Sequence, residues 1–253
     1  MLLTRPLYRL YEDRLIRSIR RGRLPQHIGV ILDGHRRFAR RSGRDYVDAY
    51  RAGMDKFVET LRWCGELEVP VLTCWLLSQE NLERPEAELE PYYKVLTELF
   101  DRLADEVPGI QFDVIGSLHL LPEPLRQSAK ALMGRSTPGG RRLNIGLAYG
   151  GRQEIVDAVR DLVAKLVADG VQAEQLADTI DAAGIASNLY TTDLPDPDLV
   201  IRTSGESRLS GFLLWQAAYA EYSFVDVYWP GFRRVDFLRA VRDFTMRQRR
   251  FGR

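Results

Sequence analysis

HIGVILDGHRRFARRSG, residues 27–43, runs from an unbroken apolar segment into a crowd of arginines, with Asp33 and Gly34 at the junction. A short apolar, β-branched run closed by a glycine reads as a strand buried on both faces, the kind a parallel sheet uses. Five runs of similar character follow: VPVLTCWLLS from Val69, IQFDVIGS from Ile110, RLNIGLAYG from Arg142, LVIRTSG from Leu199 and SFVDVYWP from Ser223. Between most of them lie stretches of helical period. Tyr46, Tyr50, Met54, Phe57 and Leu61 recur at three- or four-residue steps within 46–67, and 86–106, 152–169 and 235–249 are similarly amphipathic. Pro85 stands where a helix start tolerates it. Strands alternating with helices predict a single α/β domain over residues 25–253, a six-stranded, mostly parallel sheet surrounded by helices.

Residues 1–24 have a different character. PLYRLYEDRLIRSIRRGR (6–23) sets Leu7, Leu10, Leu15 and Ile19 among seven arginines counted from Arg5 to Arg23. This basic amphipathic helix could rest on a membrane surface or a partner, or pack on its own domain. Across the 253 residues, 36 basic and 35 acidic side chains leave no global field for nucleic acid, so any anion site must come from local clustering. Cys64 and Cys74 have neither metal-site nor disulfide spacing and read as buried free thiols, which fits a cytoplasmic protein. No apolar run reaches the roughly 18 residues of a membrane span, and no secretory leader is expected.

Ligands of open α/β sheets bind beyond the carboxyl ends of the strands. By that rule Asp33 and Gly34 end the first strand. SQENLERP ends the second with Ser78, Glu80, Asn81 and Arg84, and IRTSGESRLSG ends the fifth with Arg202, Ser204, Arg208 and Ser210. Arginine forks match phosphate oxygens, glycines such as Gly34 and Gly205 let backbone N–H groups approach an anion, and Asp33 beside them suits Mg²⁺. Neither GxxxxGK[ST] nor GxGxxG follows a strand, which argues against a nucleotide cradle. Taken singly, each residue has a plainer reading. Asp33 could cap the next helix, Asn81 could cap a turn, and Arg202 and Arg208 could pair with Asp198 and Glu206.

DGHRRFA, SQENLERP, YGGR (149–152), IRTSGESRLSGFLLWQAAYAE and the closing RRFGR resemble, in order and over nearly the whole chain, the cis-prenyltransferases of the undecaprenyl diphosphate synthase family. The resemblance implies an enzyme condensing isopentenyl diphosphate with an allylic diphosphate, with Mg²⁺, usually as a homodimer. It implies Asp33 as the metal-binding catalytic acid and Asn81, beside Ser78, as an aid to proton removal. Gly34, His35, Arg36, Arg37 and Arg84 would hold the allylic diphosphate, and Arg202, Arg208 and Ser210 the isopentenyl diphosphate. Glu221 would be a second metal-associated acid. Phe38, Tyr46, Tyr50, Gln79, Glu80, Leu82 and Leu209 complete the implied substrate contacts, and Gly252 belongs to a tail that crosses to the partner's site.

Several positions depart from the family pattern. His35 stands where Asn is usual, Phe38 and Leu82 where Trp is, Tyr46 and Tyr50 where Arg and His are, and Ser207 where His is. Tyr46 and Tyr50 share a helix face and could offer hydroxyls in place of charges. Side chains two apart on a strand point the same way, so Leu76 should lie one pleat below Ser78 and plug the path of the growing chain. That plug, with the LLSxENL and PLYRLYE segments, resembles the short-chain (Z)-farnesyl diphosphate synthases of actinobacteria. The expected substrates are geranyl and isopentenyl diphosphates and the expected product has 15 carbons. A longer-chain synthase, a branching condensation and a non-catalytic subunit are the alternatives.

Overall fold

A computed structural model describes residues 4–247, with side chains from Tyr8 onward. Among them the order is α1 (Thr4–Ile19), β1 (His27–Ile31), α2 (His35–Ser42), α3 (Tyr46–Glu66), β2 (Val71–Trp75), α4 (Glu86–Glu106), β3 (Ile110–Ile115), α5 (Glu123–Gly134), β4 (Arg141–Gly146), α6 (Gly151–Ala168), α7 (Ala173–Thr179), α8 (Ala182–Ala186), β5 (Leu199–Arg202), β6 (Glu221–Phe224) and α9 (Arg234–Met246). The sheet runs β3-β4-β2-β1-β5-β6 and every pairing is parallel, edge strand β6 included. The expected "mostly parallel" sheet is therefore wholly parallel. Its last strand begins at Glu221, two residues before the apolar run that announced it.

All residues of β1, β2 and β5 are buried, because helices cover both faces of the sheet's centre. One layer packs Ile28, Val30, Leu72 and Cys74 beneath α3, α4 and α9. The other joins Ile31, Trp75 and Val200 to Tyr149 and Phe212. The chain leaves β1 toward β2 on one side, whereas β5 joins β1 from the other. Strand order thus reverses at β1, and a crevice opens beyond its carboxyl end.

Helix α1 packs on α9. Leu15 and Ile19 are buried there, Glu12 pairs with Arg234 at 2.9 Å, and Arg239 lies over the Tyr11 ring at 5.2 Å. The helix does pack on its own domain, while Arg9, Arg14, Arg17, Arg20 and Arg21 remain exposed. No helix among the described residues is long and apolar enough to cross a membrane. Cys64 and Cys74 are buried and free, as their spacing indicated.

A polar thread stitches the middle of the sheet. His27 Nδ1 lies 2.7 Å from the Pro195 carbonyl and Nε2 lies 2.7 Å from Thr73 Oγ1, which also accepts from Asn144 Nδ2 at 3.0 Å. The carbonyl can only accept, so Nδ1 carries the proton and Nε2 receives the threonine hydroxyl: a neutral ring. Burial pushes the His27 pKa down to about 4, against the opposing pull of Pro195 and Asp198. Below pH 6.5 the unfolded chain takes up a proton that the folded chain refuses, so stability declines as pH falls toward 4. His27 accounts for up to about 3 kcal/mol of that loss. The urea midpoint should therefore be clearly lower at pH 5 than at pH 7, and His27→Gln should show a shallower pH dependence.

Candidate active site

Asp33 stands just beyond β1 on a backbone clamped to β5. Its N–H donates to Thr203 Oγ1 at 3.0 Å, and the Thr203 hydroxyl donates back to the Asp33 carbonyl at 2.8 Å. Gly34 then turns the chain at φ 108°, against the Tyr228 side chain, where an added Cβ would come within 2.9 Å. No other residue meets both demands cheaply. Gly34 also caps α2 without a side-chain partner, so the first N–H groups of α2 face the crevice as ready anion donors.

Two arginines, one from the first turn of α2 and one from the end of β5, divide the Asp33 carboxylate. Arg37 Nη2 reaches Oδ1 at 3.1 Å and Arg202 Nη2 reaches Oδ2 at 2.9 Å. Arg202 is nearly wholly buried, gives its other nitrogen to Ser210 Oγ at 2.8 Å and to the Arg208 carbonyl, and leaves Nε unpartnered. Arg37 also donates to Ser204 Oγ at 2.8 Å and pairs with Glu206 at 2.9 Å, while Glu206 holds Arg208 at 3.1 Å. Burial pushes the Asp33 carboxyl up, but the bonds from Arg202 and Ser204 and the two guanidinium charges outweigh it and hold the acid below its ordinary pKa. Asp33 is ionised at neutral pH.

Around this acid lies a cavity of about 620 Å³. Its polar wall joins Gly34, His35, Arg36, Arg37, Arg40, Ser78, Glu80, Asn81, Arg84, Arg202, Glu206, Arg208 and Ser210. Leu32, Tyr50, Trp75, Leu76 and Tyr92 form a less polar side. The lining holds six arginines against the three carboxylates Asp33, Glu80 and Glu206, an excess suited to a strongly charged anion. Asn81 and Ser78 form a reciprocal turn, with Asn81 N–H donating to Ser78 Oγ at 3.1 Å and Ser78 N–H to Asn81 Oδ1 at 3.4 Å. The plain turn reading of Asn81 thus coexists with a place in the wall. Arg208 does pair with Glu206, whereas Arg202 pairs with Asp33 rather than Asp198. Asp33 does not cap α2.

Other expected contacts lie elsewhere. Phe38 lines a separate hollow beside Arg41 and Tyr228. Tyr46 sits outside the cavity wall, its hydroxyl accepting from Arg40 Nε at 3.3 Å. Gln79, Leu82 and Leu209 are absent from the wall, and Leu82 packs on the core. Glu221 opens β6 in register with Leu199, so it stands at the amino edge of the sheet, opposite Asp33, and pairs with Arg247 at 3.2 Å. Within this chain the structure does not bring it to the expected metal site, because parallel strands send their first and last residues to opposite edges. Gly252 lies outside the described residues. Leu76 does share the cavity with Ser78, but through a break in pairing where Leu76 and Leu77 both donate to the Gly146 carbonyl, rather than through a regular pleat.

Sequence reasoning missed Glu88, which lies 3.3 Å from Arg36 and 3.4 Å from Arg84, and missed Tyr92 in the wall. The i,i+4 spacing of Arg84 and Glu88 was the available signal. His35 is buried and lowered to about 4, chiefly by burial, so it adds no charge at neutral pH. As for Mg²⁺, no cluster of three ligating side chains exists among the described residues. One ionised carboxylate beside a phosphate-type pocket nonetheless fits a cation held jointly by protein and substrate oxygens.

Fold and site together define an α/β enzyme built to handle a diphosphate. The undecaprenyl diphosphate synthase family model matches residues 31–252, and the chain belongs to that family: it is a prenyltransferase. It is 50% identical to a (2Z,6E)-farnesyl diphosphate synthase of Thermobifida fusca, over 99% of both chains. It is 49% identical to the enzyme of that name from Mycolicibacterium smegmatis, over 99% of this chain and 97% of that one. Lavandulyl diphosphate synthase from Lavandula x intermedia, solved with dimethylallyl diphosphate, superimposes with a TM-score of 0.84 at 32% identity, covering 91% of this chain and 99% of that one.

Replacing Asp33 by Asn removes the charge that Arg37 and Arg202 share. Turnover should fall about 10²- to 10³-fold, and the unfolding midpoint should drop as buried Arg202 loses its counter-ion. Steady-state prenyl transfer and a thermal melt of the same preparation check both outcomes.

Proposed function

We propose that this enzyme adds one isopentenyl diphosphate to geranyl diphosphate and releases (2Z,6E)-farnesyl diphosphate. The observation that carries this reading is a cavity in which Asp33 and six arginines share the lining with Leu76, Tyr50 and Tyr92. The relatives named for the same product add support.

In this reading the N–H groups opening α2, with Arg36, Arg37 and Arg84, hold the allylic diphosphate. Arg202, Arg208 and Ser210 hold the isopentenyl diphosphate beside it. The allylic C–O bond breaks, with its electron pair leaving on diphosphate. The isopentenyl double bond forms the new C–C bond, and one proton is lost from the isopentenyl carbon next to the diphosphate-bearing one. Mg²⁺, held by Asp33 and phosphate oxygens, would neutralise charge on the departing group. Asn81 positions the isopentenyl side of the site through its turn with Ser78. A carboxamide is a poor base, so the released diphosphate takes the proton.

The reading extends to a homodimer, with Gly252 and its neighbours reaching the partner's site. Its support is edge strand β6, whose last residue Phe224 is exposed and is preceded, just before the strand, by Tyr219, itself 85% exposed. The exposed arginines of α1 support peripheral contact of a cytoplasmic enzyme with an anionic membrane surface.

Mass analysis of dephosphorylated products from the purified protein with Mg²⁺ tests the proposal. Geranyl plus isopentenyl diphosphate should yield a C15 alcohol, and Leu76→Ala should yield longer ones. Wild-type products of C50 or more would replace this reading with a long-chain synthase. A branched product from dimethylallyl diphosphate would replace it with an irregular condensation, and silence with every primer would point to a supporting subunit.

A further inference from the structure

Tyr50 and Tyr92 line the cavity together with Leu76, and their closest ring contact is with each other. Both are buried, their ring centroids stand 4.6 Å apart at 48°, and the Tyr92 hydroxyl donates to the Leu76 carbonyl at 2.7 Å. Behind Tyr50 lies His35, at 5.8 Å between ring centroids, with 6.4 Å separating it from Tyr92. His35 is seated directly on Gly53, where an added Cβ would fall 2.1 Å from its Nε2. These residues come from α2, α3, α4 and the end of β2, so four elements converge on one aromatic wall. Tyr50 and Tyr92 belong to the same buried core as Met54 of α3 and Leu96 of α4.

We propose that Tyr92, paired with Tyr50 and braced by His35 on Gly53, is a second stop for the growing hydrocarbon chain, latched to Leu76 through the Tyr92 hydroxyl. The proposal rests on the short-chain reading and adds the element that makes Leu76 effective. A leucine side chain alone can swing between rotamers. The bond from Tyr92 holds the backbone that carries it, at a point where strand pairing has already broken. An aromatic wall also accounts for Tyr50 at a position where a charged residue was expected. Its ring packs against Tyr92, and the residue lines the same cavity as Arg36 and Arg84. Tyr50 thus marks the boundary between diphosphate and hydrocarbon.

Product-length analysis of Tyr92→Phe, Tyr92→Leu and Tyr92→Ala, beside wild type and Leu76→Ala, tests the idea with geranyl diphosphate and excess isopentenyl diphosphate. Tyr92→Phe keeps the ring and removes only the latch; a C20 fraction several-fold above wild type is expected. Tyr92→Leu and Tyr92→Ala should shift the main product to C20 or longer, and Leu76→Ala/Tyr92→Ala should extend it beyond either single variant. The KM for isopentenyl diphosphate should stay within about twofold of wild type. A residue that served only general stability would lower turnover and leave product length alone. If Tyr92→Phe and Tyr92→Leu are active and make only C15 while Leu76→Ala makes longer products, the second stop is overturned and the short-chain reading stands. If wild type itself makes long products, that reading falls first.

Discussion

The candidate site is built around one carboxylate shared by two guanidiniums. Asp33 follows β1, Arg202 ends β5, and Arg37 lies one turn into α2. Neighbouring strands stand about 4.8 Å apart, so side chains beyond the ends of β1 and β5 meet whenever those strands are adjacent. That adjacency is the reversal of strand order at β1. A largely buried Arg202 is tolerable only with a counter-charge, and Asp33 provides it. The same bond that makes the buried arginine affordable also keeps the acid ionised and aimed at the crevice.

The ion pairs continue outward as an alternating chain: Arg202, Asp33, Arg37, Glu206, Arg208, with Glu88 between Arg36 and Arg84 as a second, separate link. Each acid is matched by two arginines, which prevents several like charges from repelling one another in one pocket. The surplus of positive charge remains, and a diphosphate can take the place of a carboxylate partner. Placing the neutral, buried His35 in the same wall adds bulk without adding charge. The cavity lining therefore combines six arginines with an aromatic cluster of His35, Tyr50 and Tyr92.

Much of this was legible in the sequence because parallel α/β architecture is regular. Strand runs flanked by amphipathic stretches located β1, β2 and β5, and the carboxyl-end rule then gathered Asp33, Asn81, Arg84, Arg202, Arg208 and Ser210. What escaped shares a different physical cause. Tyr92 has the spacing of an ordinary core residue of α4, and only its distance to Leu76 makes it part of a cavity. Glu88 looks like a solvated acid until Arg36 and Arg84, which it bridges, are placed. Glu221 sits in the block that carries the family resemblance, but it starts β6 and is carried to the far edge of the sheet.

The sequence by itself determined the layered α/β class, the edge of the sheet that carries the site, and the anionic character of its ligand. Hydrophobic period and the direction of parallel strands are local properties that a chain displays residue by residue. Only the tertiary structure decided which arginine meets which acid, that Tyr50 packs against Tyr92 in the cavity wall, and that α1 lies on α9. Those outcomes depend on the order in which strands enter the sheet and on how helices from distant parts of the chain cross, and neither is written in any single segment.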